Sequence, residues 1–377
     1  MKILHTSDWH FGLSAGQTYF EDDHRYFLDQ LFALIRREQV DAVLCAGDVY
    51  DSSIVTASAI SLYNHAVTTI CKDLGVPMVV IAGNHDSAPR LAACRDLLAA
   101  AGLHVSGVLE RDVQPVLLDG GHVAVYPLPF FDRERVISLF PEHKDTLRTQ
   151  EAAAQLVCSH IREQMDPSRC NIILSHSLVV DAELSESDRS ALIGHATAVS
   201  RQVFDGFDYV ALGHIHKPQI VAPQIRYCGS PLRYSFGSEE KQTKGVVIFD
   251  TATGEQTFHP LPCLHGRRTV RGTLEEIEAM EGLENDYLRL EITDRYAGLE
   301  LMARLLERFP YLLELQGKSI DDTDNAATLT VNDLHSLDET GIMLKFMAEH
   351  CHYQPTAAQI DLFRDALSAI DGPADRT

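Results

Sequence analysis

Met78-Val79-Val80-Ile81-Ala82-Gly83-Asn84-His85-Asp86 is the stretch from which the fold is read. Its apolar run, Met78–Ala82, stops abruptly at a polar cluster. The run is short and rich in Val and Ile, which fits a strand buried on both faces. The same construction recurs on either side. Ile3–His5 runs into Thr6-Ser7-Asp8, and Ala42–Ala46 into Gly47-Asp48. Ile172–Leu174 runs into Ser175-His176, and Tyr209–Leu212 into Gly213-His214-Ile215-His216. Helical patterns lie between the early runs, such as Phe27, Leu31, Leu34 and Ile35 ahead of Val40. Alternating strand and helix predicts a layered α/β domain. In such sheets the polar residues just past the strand ends gather on one edge, where ligands bind.

Downstream of Gly213 the pattern changes. Ile225–Cys228, Gly245–Asp250 and Thr257–Leu261 are spaced like hairpin strands, with Gly229-Ser230-Pro231 and Thr253-Gly254 as turns. A smaller α/β unit is expected over 266–317. It opens with a strand at Arg268–Gly272 and a helix capped by Thr273 with Glu276. Leu288, Leu290 and Ile292 then alternate as a half-buried strand, and Leu299, Met302, Leu305, Leu306 and Phe309 form a helical stripe. An acidic linker is expected over 318–334 and a helix pair over 335–371. Ser336 with Glu339, and Thr356 with Gln359, have the spacing of capping boxes. The first helix would present Ile342, Met343, Phe346 and Met347, the second Ile360, Phe363, Leu367 and Ile370. Residues 1–265 are left as one large domain.

Composition narrows the function classes. With 45% hydrophobic and 23% charged residues the chain reads as an ordinary globular protein. It shows no secretory signal and no apolar run able to span a bilayer, so a cytoplasmic location with no membrane association is expected. The eight cysteines include no Cys-x-x-Cys pair, and Cys45, Cys158, Cys170 and Cys228 sit in or beside apolar segments as small hydrophobes. The net charge of -22 argues against the simplest nucleic-acid binder, which carries a basic stripe. Residues 266–377 hold 11 Lys+Arg against 22 Asp+Glu, and residues 1–265 hold 21 against 32, so each part carries -11. A DNA substrate would need bound divalent ions, a local basic surface or a partner to attract it.

The chemistry lies in the residues just past the apolar runs. Asp8 and His10 stand two apart past the first, Asp48 comes after the second, and Asn84 and His85 after the third. His176 comes after the fourth, and His214 and His216 after the fifth. These are imidazole, carboxylate and amide donors with no thiolate, a set that suits Mn²⁺, Fe²⁺ or Zn²⁺ better than a structural zinc site. There are more of them than one ion needs, and two ions sharing a carboxylate account for the number. Singly, each cluster has an ordinary explanation: Asp-x-His as a cap, Gly-Asn-His-Asp as a tight turn. Five successive strand ends that each finish in a metal-ligand type are not explained as independent turns.

Asp8-x-His10, Gly47-Asp48-x-x-Asp51, Gly83-Asn84-His85-Asp86, Ser175-His176 and Gly213-His214-x-His216 resemble, in order, the motifs of calcineurin-like metallophosphoesterases. His5–Gly12, Gly83–Ser87, Ala211–His216 and Tyr227–Leu232 are similar to the bacterial SbcD nuclease subunits, relatives of the double-strand-break repair nucleases. The resemblance implies a helix-sheet-sheet-helix sandwich with a small α/β cap domain and a C-terminal helix pair. It implies one ion on Asp8, His10, Asp48 and His216, and a second on Asp48, Asn84, His176 and His214. Asp48 is then the bridge, and His85 a catalytic histidine outside both shells. Manganese is the expected metal, with Mg, Fe and Zn as alternatives. Some relatives carry a histidine where this chain has Asp51, so Asp51 is expected only to orient the ligands. The implied activity is a DNA exonuclease on duplex ends and endonuclease on single-stranded or hairpin DNA, in repair, recombination and replication. The implied partner is an SbcC-like coiled-coil ATPase docked on the C-terminal helices, in a heterotetramer containing a homodimer of this chain. A phosphodiesterase for small nucleotides or phosphoproteins is the alternative, but would not need residues 267–377. A metal-free interaction module is a third, and the intact ligand set weighs against it.

Overall fold

The computed structural model describes residues 1–15, 18–180, 182–185, 188, 198–296, 299–318 and 355–370. The chain forms two compact units. The first comprises Met1–Thr269 and Gly282–Leu288, the second Val270–Glu281 and Arg289–Thr377.

The first unit begins with β1 (Lys2–Thr6), a ribbon of β2 (Ser14–Ala15) and β3 (Thr18–Tyr19), and helix α1 (Glu21–Glu38). Then come β4 (Ala42–Cys45), α2 (Ala57–Val67), β5 (Met78–Ile81), the short helices α3 (Ala88–Leu91) and α4 (Arg95–Ala99), and β6 (Leu103–Ser106). Its second half holds β7 (Val116–Leu118), β8 (Val123–Leu128), α5 (Arg133–Leu139), α6 (Gln150–Gln164), β9 (Cys170–His176) and β10 (Tyr209–Gly213). Strands β11 (Gln219–Ala222), β12 (Ile225–Tyr227), β13 (Gly245–Asp250) and β14 (Gln256–Pro260) complete it.

These strands build two six-stranded mixed sheets, ordered β14-β13-β1-β4-β5-β6 and β11-β12-β10-β9-β8-β7. Period-two alternation explains the layering. In β1 and β4, Ile3, Ala42 and Leu44 point into the core between the sheets, against Val125, Ile172, Leu174 and Tyr209. Their neighbours Leu4, Val43 and Cys45 face outward onto Phe27 and Leu31 of α1 and Leu62 of α2. On the far side Ile173 and Val210 meet Val157 and Ile161 of α6. Helix, sheet, sheet and helix are stacked in that order, the expected sandwich.

Parallel pairing sets the functional edge. Thr6 lies opposite Cys45, and Cys45 opposite Val80. In the other sheet Gly213 lies opposite His176. The loops that leave these strands therefore start level with one another. One sequence expectation changes: of the three strands expected to form hairpins here, only β13 and β14 pair with each other. Strand β12 instead pairs with β10 and β11 in the other sheet, so residues 228–244 carry the chain between sheets. Gly229 (φ +79°) begins that passage, where a Cβ would meet the Pro218 ring at 2.7 Å.

Strand β15 (Arg267–Gly272) passes from the first unit into the second, whose three-stranded sheet has the order β15-β16-β17. Its other strands are β16 (Tyr287–Tyr296) and β17 (Leu312–Lys318), with α7 (Leu274–Ala279) and α8 (Leu299–Arg308) between. The expected capping box is present: Thr273 Oγ1 accepts from Glu276 N at 3.3 Å, and Glu276 Oε2 from Thr273 N at 2.8 Å. Among the described residues of this unit, Ile277, Leu290, Ile292, Leu305, Phe309, Leu312 and Leu315 are the buried apolar ones. Helix α9 (Ala357–Ile370) starts where the Thr356/Gln359 spacing predicts it, with Gln359 Oε1 accepting from Thr356 N at 2.9 Å. Ile360 and Phe363 are half-buried, and Leu367 and Ile370 fall on its later turns. The first expected terminal helix, with Ile342, Met343, Phe346 and Met347, lies outside the described residues, as does the expected linker from 319 on. Among the described residues no helix is long and apolar enough to cross a membrane.

Candidate metal centre

The loop backbones are bent before any side chain is considered. Asp8 (φ 53°), His10 (46°), Asp48 (49°) and His214 (95°) lie in the left-handed region, four of the seven non-glycine residues that do so among those described. Such conformations cost about 1–3 kcal/mol each and persist where surrounding structure imposes them. Here Asp8 N donates to Gly47 O at 2.9 Å, His10 N to Asp48 O at 3.0 Å and Phe11 N to Val49 O at 2.9 Å. These bonds lace the loop after β1 to the loop after β4. The Asp8 carboxylate reaches the loop after β10, where Oδ1 accepts from His214 N at 3.0 Å.

Asp86 fastens the loop after β5. Its buried carboxylate accepts from Gly83 N (2.9 Å), Val49 N (3.2 Å) and Tyr50 N (2.9 Å). His85 N donates to Asp48 Oδ1 at 2.9 Å. The glycines of these loops are needed for close approach. A Cβ on Gly83 would lie 2.1 Å from Asp48 Oδ1, and one on Gly213 would lie 2.1 Å from Ala46 O.

All the strand-end residues singled out in the sequence come together. His10 Nε2 and His216 Nε2 face each other at 3.2 Å. Asp48 Oδ2 stands 3.8 Å from His10 Nε2 and 3.2 Å from His176 Nε2, so it reaches both sides of the cluster. Asn84 Oδ1 lies 2.9 Å from His176 Nε2 and 3.0 Å from His214 Nδ1. His176 is oriented by its other nitrogen, with Nδ1 2.7 Å from Ala46 O. Donor atoms of Asp8, His10 and His216 lie within 4.8 Å of one another, as do those of Asp8, Asp48 and His176. Asp8 thus belongs to both gatherings. His10, Asp51 and His85 form a third. His85 Nδ1 is 2.7 Å from Asp51 O, and its ring stands edge-on to His10 at 4.9 Å.

The electrostatics are those of a packed donor cluster. Burial alone would raise the Asp48 carboxyl and lower the His176 imidazole. Their mutual attraction reverses both, holding Asp48 well below the usual carboxylate range and lifting His176 to about 9. Burial likewise works against a charge on His216, but the Glu239 and Asp188 carboxylates outweigh it and raise its pKa. His214 goes the other way, lowered to about 3 by burial and then by the His176 charge. His5, buried away from the cluster, is lowered to about 3 by burial.

A divalent ion fits this arrangement. His10 Nδ1 is buried without a hydrogen-bond partner, since Asp51 Oδ1 at 3.3 Å is not aligned to accept from it. Asn84 Oδ1 and Asp48 Oδ2 converge on a single ring nitrogen of His176. Nitrogen and oxygen donors aimed inward, two of them carboxylates, satisfy one another best around cations. Sequence reading missed the residues behind this cluster. Tyr234 OH donates to Trp9 O at 2.7 Å and Asp8 O at 3.2 Å. Asp188, Glu239 and Lys244 surround His216. None ends a predicted strand or stands at ligand spacing, so no local signal marks them.

A mixed donor cluster on the shared edge of two stacked sheets defines a metal-dependent hydrolase rather than a structural zinc protein. The family model of calcineurin-like phosphoesterases matches residues 1–218, and one described as the type 5 capsule protein repressor C-terminal domain matches residues 263–350. The SbcD subunit of the nuclease SbcCD from Staphylococcus epidermidis is 29% identical over 378 residues, covering 98% of this chain and 99% of that protein. Its counterpart from Staphylococcus saprophyticus is 31% identical over 328 residues, covering 85% and 86%. Among solved structures, TT1561 of Thermus thermophilus aligns with a TM-score of 0.40 at 12% identity, over 69% of this chain and 98% of that one. The chain belongs to the calcineurin-like phosphoesterases and, within them, to the family of SbcD nuclease subunits.

Proposed function

We propose that this chain is the catalytic subunit of a metal-dependent DNA nuclease that works with an SbcC-like coiled-coil ATPase. The observation that carries the reading is the convergence of Asp8, His10, Asp48, Asn84, His176, His214 and His216 in a chain similar to SbcD subunits along nearly its whole length. One ion is assigned to Asp8, His10, Asp48 and His216, and the other to Asp48, Asn84, His176 and His214, with manganese as the first choice. When bound, such a pair of cations stabilises charge on the attacking and leaving oxygens of a phosphodiester together. His85 supplies the proton. Its Nδ1–H donates to Asp51 O, which leaves Nε2 to serve the departing sugar oxygen as general acid. Asp51 orients His85 through its backbone carbonyl, and its carboxylate stands 3.3 Å from His10 Nδ1.

The finer reading is exonuclease action on duplex ends and endonuclease action on single-stranded or hairpin DNA, in repair, recombination and replication. Residues 1–265 would form the nuclease, 266–317 a cap that orients DNA, and 335–371 the docking helices, in a dimer of heterodimers. The acidic chain would depend on its ions and on the ATPase to hold DNA. The test compares hydrolysis of a hairpin duplex with that of bis-p-nitrophenyl phosphate, with Mn²⁺, with and without the ATPase. Cleavage of both, with the duplex stimulated by the partner, is expected. Hydrolysis of the small ester alone under every condition would refute the DNA reading and support the small-phosphodiester one.

A further inference from the structure

Directly behind His216 the chain buries a salt bridge that the catalytic reading leaves unused. Lys244 and Glu239 have side chains with 0% exposure, and Lys244 Nζ lies 3.3 Å from Glu239 Oε2. Burying an ammonium and a carboxylate is expensive, and a well-packed apolar pair is often as stable or more so. Stability is therefore a poor reason for these charges. Their remaining bonds point to another one.

Lys244 Nζ donates to His216 O at 2.8 Å, to Ser230 Oγ at 2.9 Å and to Gln242 Oε1 at 3.0 Å. Glu239 Oε1 lies 3.7 Å from His216 Nδ1 and accepts from Ser235 Oγ at 2.9 Å, while Oε2 accepts from Tyr234 N at 2.8 Å. Asp188 Oδ1 takes His216 N at 3.1 Å. His216 is held at its carbonyl, its amide and the rear edge of its ring. The opposite ring nitrogen, Nε2, is the one that faces His10. Tyr234 extends the support: its hydroxyl braces the carbonyls of Asp8 and Trp9, and its ring stands edge-on to His10 and His216 at 5.3 and 5.4 Å.

The support is one-sided. Asp8, His10 and His216 lean on residues 234–244. His176, by contrast, is oriented by Ala46 O, and Asn84 lies in the loop that Asp86 fastens. We infer that Glu239 and Lys244 are positioning residues for one metal site only, the site formed by Asp8, His10, Asp48 and His216. A carboxylate behind a ligating imidazole fixes its orientation and raises its basicity toward the cation, and losing such a partner typically costs about 10–100-fold in metal affinity. This inference rests on the two-ion reading above.

The experiment uses the full chain, stripped of metal and titrated with Mn²⁺ by calorimetry and electron paramagnetic resonance, beside its thermal midpoint without metal. Glu239→Gln, Lys244→Met and the double variant are compared with the wild type. Each single variant leaves a buried charge without its partner, which lowers the midpoint. The double variant removes both charges and should recover much of the midpoint. In the double variant one Mn²⁺ should still bind as in the wild type, and the other about 10–100-fold more weakly. Two ions bound by the double variant as tightly as by the wild type would overturn the inference and leave the pair a structural feature. Equal weakening of both ions would also overturn it. A wild type that takes up a single ion would instead refute the two-ion reading itself.

Discussion

Asp86 offers the sharpest test of how the ligand loops are held. The Asp86→Ala substitution leaves three backbone donors, Gly83 N, Val49 N and Tyr50 N, without the carboxylate that accepts them at 2.9–3.2 Å. A hydrogen bond to a charged group contributes about 1.5–3 kcal/mol, and a buried donor left without a partner costs about 1–3 kcal/mol. Three such donors set a ceiling of about 9 kcal/mol. Two effects reduce it. Water can enter the vacated space and satisfy part of the set. The substitution also removes a carboxylate whose ionisation is opposed by burial and by Asp48, which together push its pKa up to about 6. A net loss of about 2–4 kcal/mol is therefore expected for the metal-free chain, read as the shift of its urea unfolding curve. Asp86→Asn should cost less, because its carbonyl can still serve one side of the bonds. The functional consequence is separate. Val49 adjoins Asp48 and Gly83 adjoins Asn84, so loss of the fastener should also weaken Mn²⁺ binding, measured by calorimetry on the folded fraction. An Asp86→Ala chain with an unchanged unfolding curve and unchanged metal affinity would refute the reasoning. Lost stability with intact affinity would show that the loops are stapled here but the ligands are positioned elsewhere.

Four further outcomes are expected. His85→Ala should retain two metal ions by elemental analysis while DNA cleavage falls by about 10²–10⁴-fold, the usual contribution of a general acid; loss of an ion would make His85 a ligand, as its proximity to His10 and Asp51 would permit. Asp48→Ala should lose both ions, whereas Asp8→Ala and His216→Ala should each retain one; full retention of one ion in Asp48→Ala would remove Asp48 from the bridging position. Metal binding should strengthen as pH rises from about 7 to about 9, because Asp48 outweighs burial and keeps His176 protonated up to about 9 in the metal-free chain, so the incoming cation displaces a proton. Calorimetry in buffers of different ionisation enthalpy counts that proton. The same pair stabilises the metal-free fold below the ordinary imidazole value and ceases to do so as pH rises through about 9, so its unfolding midpoint should decline over that window.

The legible part of the fold owes its signal to burial on two faces. Ile3–His5, Ala42–Ala46, Met78–Ala82, Ile172–Leu174 and Tyr209–Leu212 are continuous apolar runs because each strand has a sheet on one side and helices on the other. Strands without that environment were harder to see. β7 is only Val116–Leu118 with Leu117 exposed, and β8 carries Pro127 within it. The buried face of α6 is Ala153, Ala154, Val157, Cys158 and Ile161, too small and weakly apolar a stripe to stand out. In β17 the buried Leu312 and Leu315 fall three apart, which reads as a helical interval rather than a strand. The pairing of β12 depends on the 228–244 passage, whose return between sheets has no local signature.

The site divides along a similar physical line. A ligand's identity is written where it stands: the donor types at five strand ends were readable because a parallel sheet brings consecutive strand ends to one edge. A ligand's orientation comes from elsewhere. His216 is gripped by Lys244 and Asp188, each 28 residues away, and Asp8 is braced by Tyr234 at a separation of 226. The Lys244 and Tyr234 contacts are fixed by how the passage from β12 to β13 crosses the sandwich, and a lysine just ahead of a strand gives no hint that its ammonium will meet a histidine carbonyl. The left-handed conformations at Asp8, His10, Asp48 and His214 are the visible result. Four residues of ordinary β or loop preference are held in a strained shape by partners distant in sequence. The donor set was therefore legible one residue at a time, while the geometry that makes it a site belongs to the assembled fold.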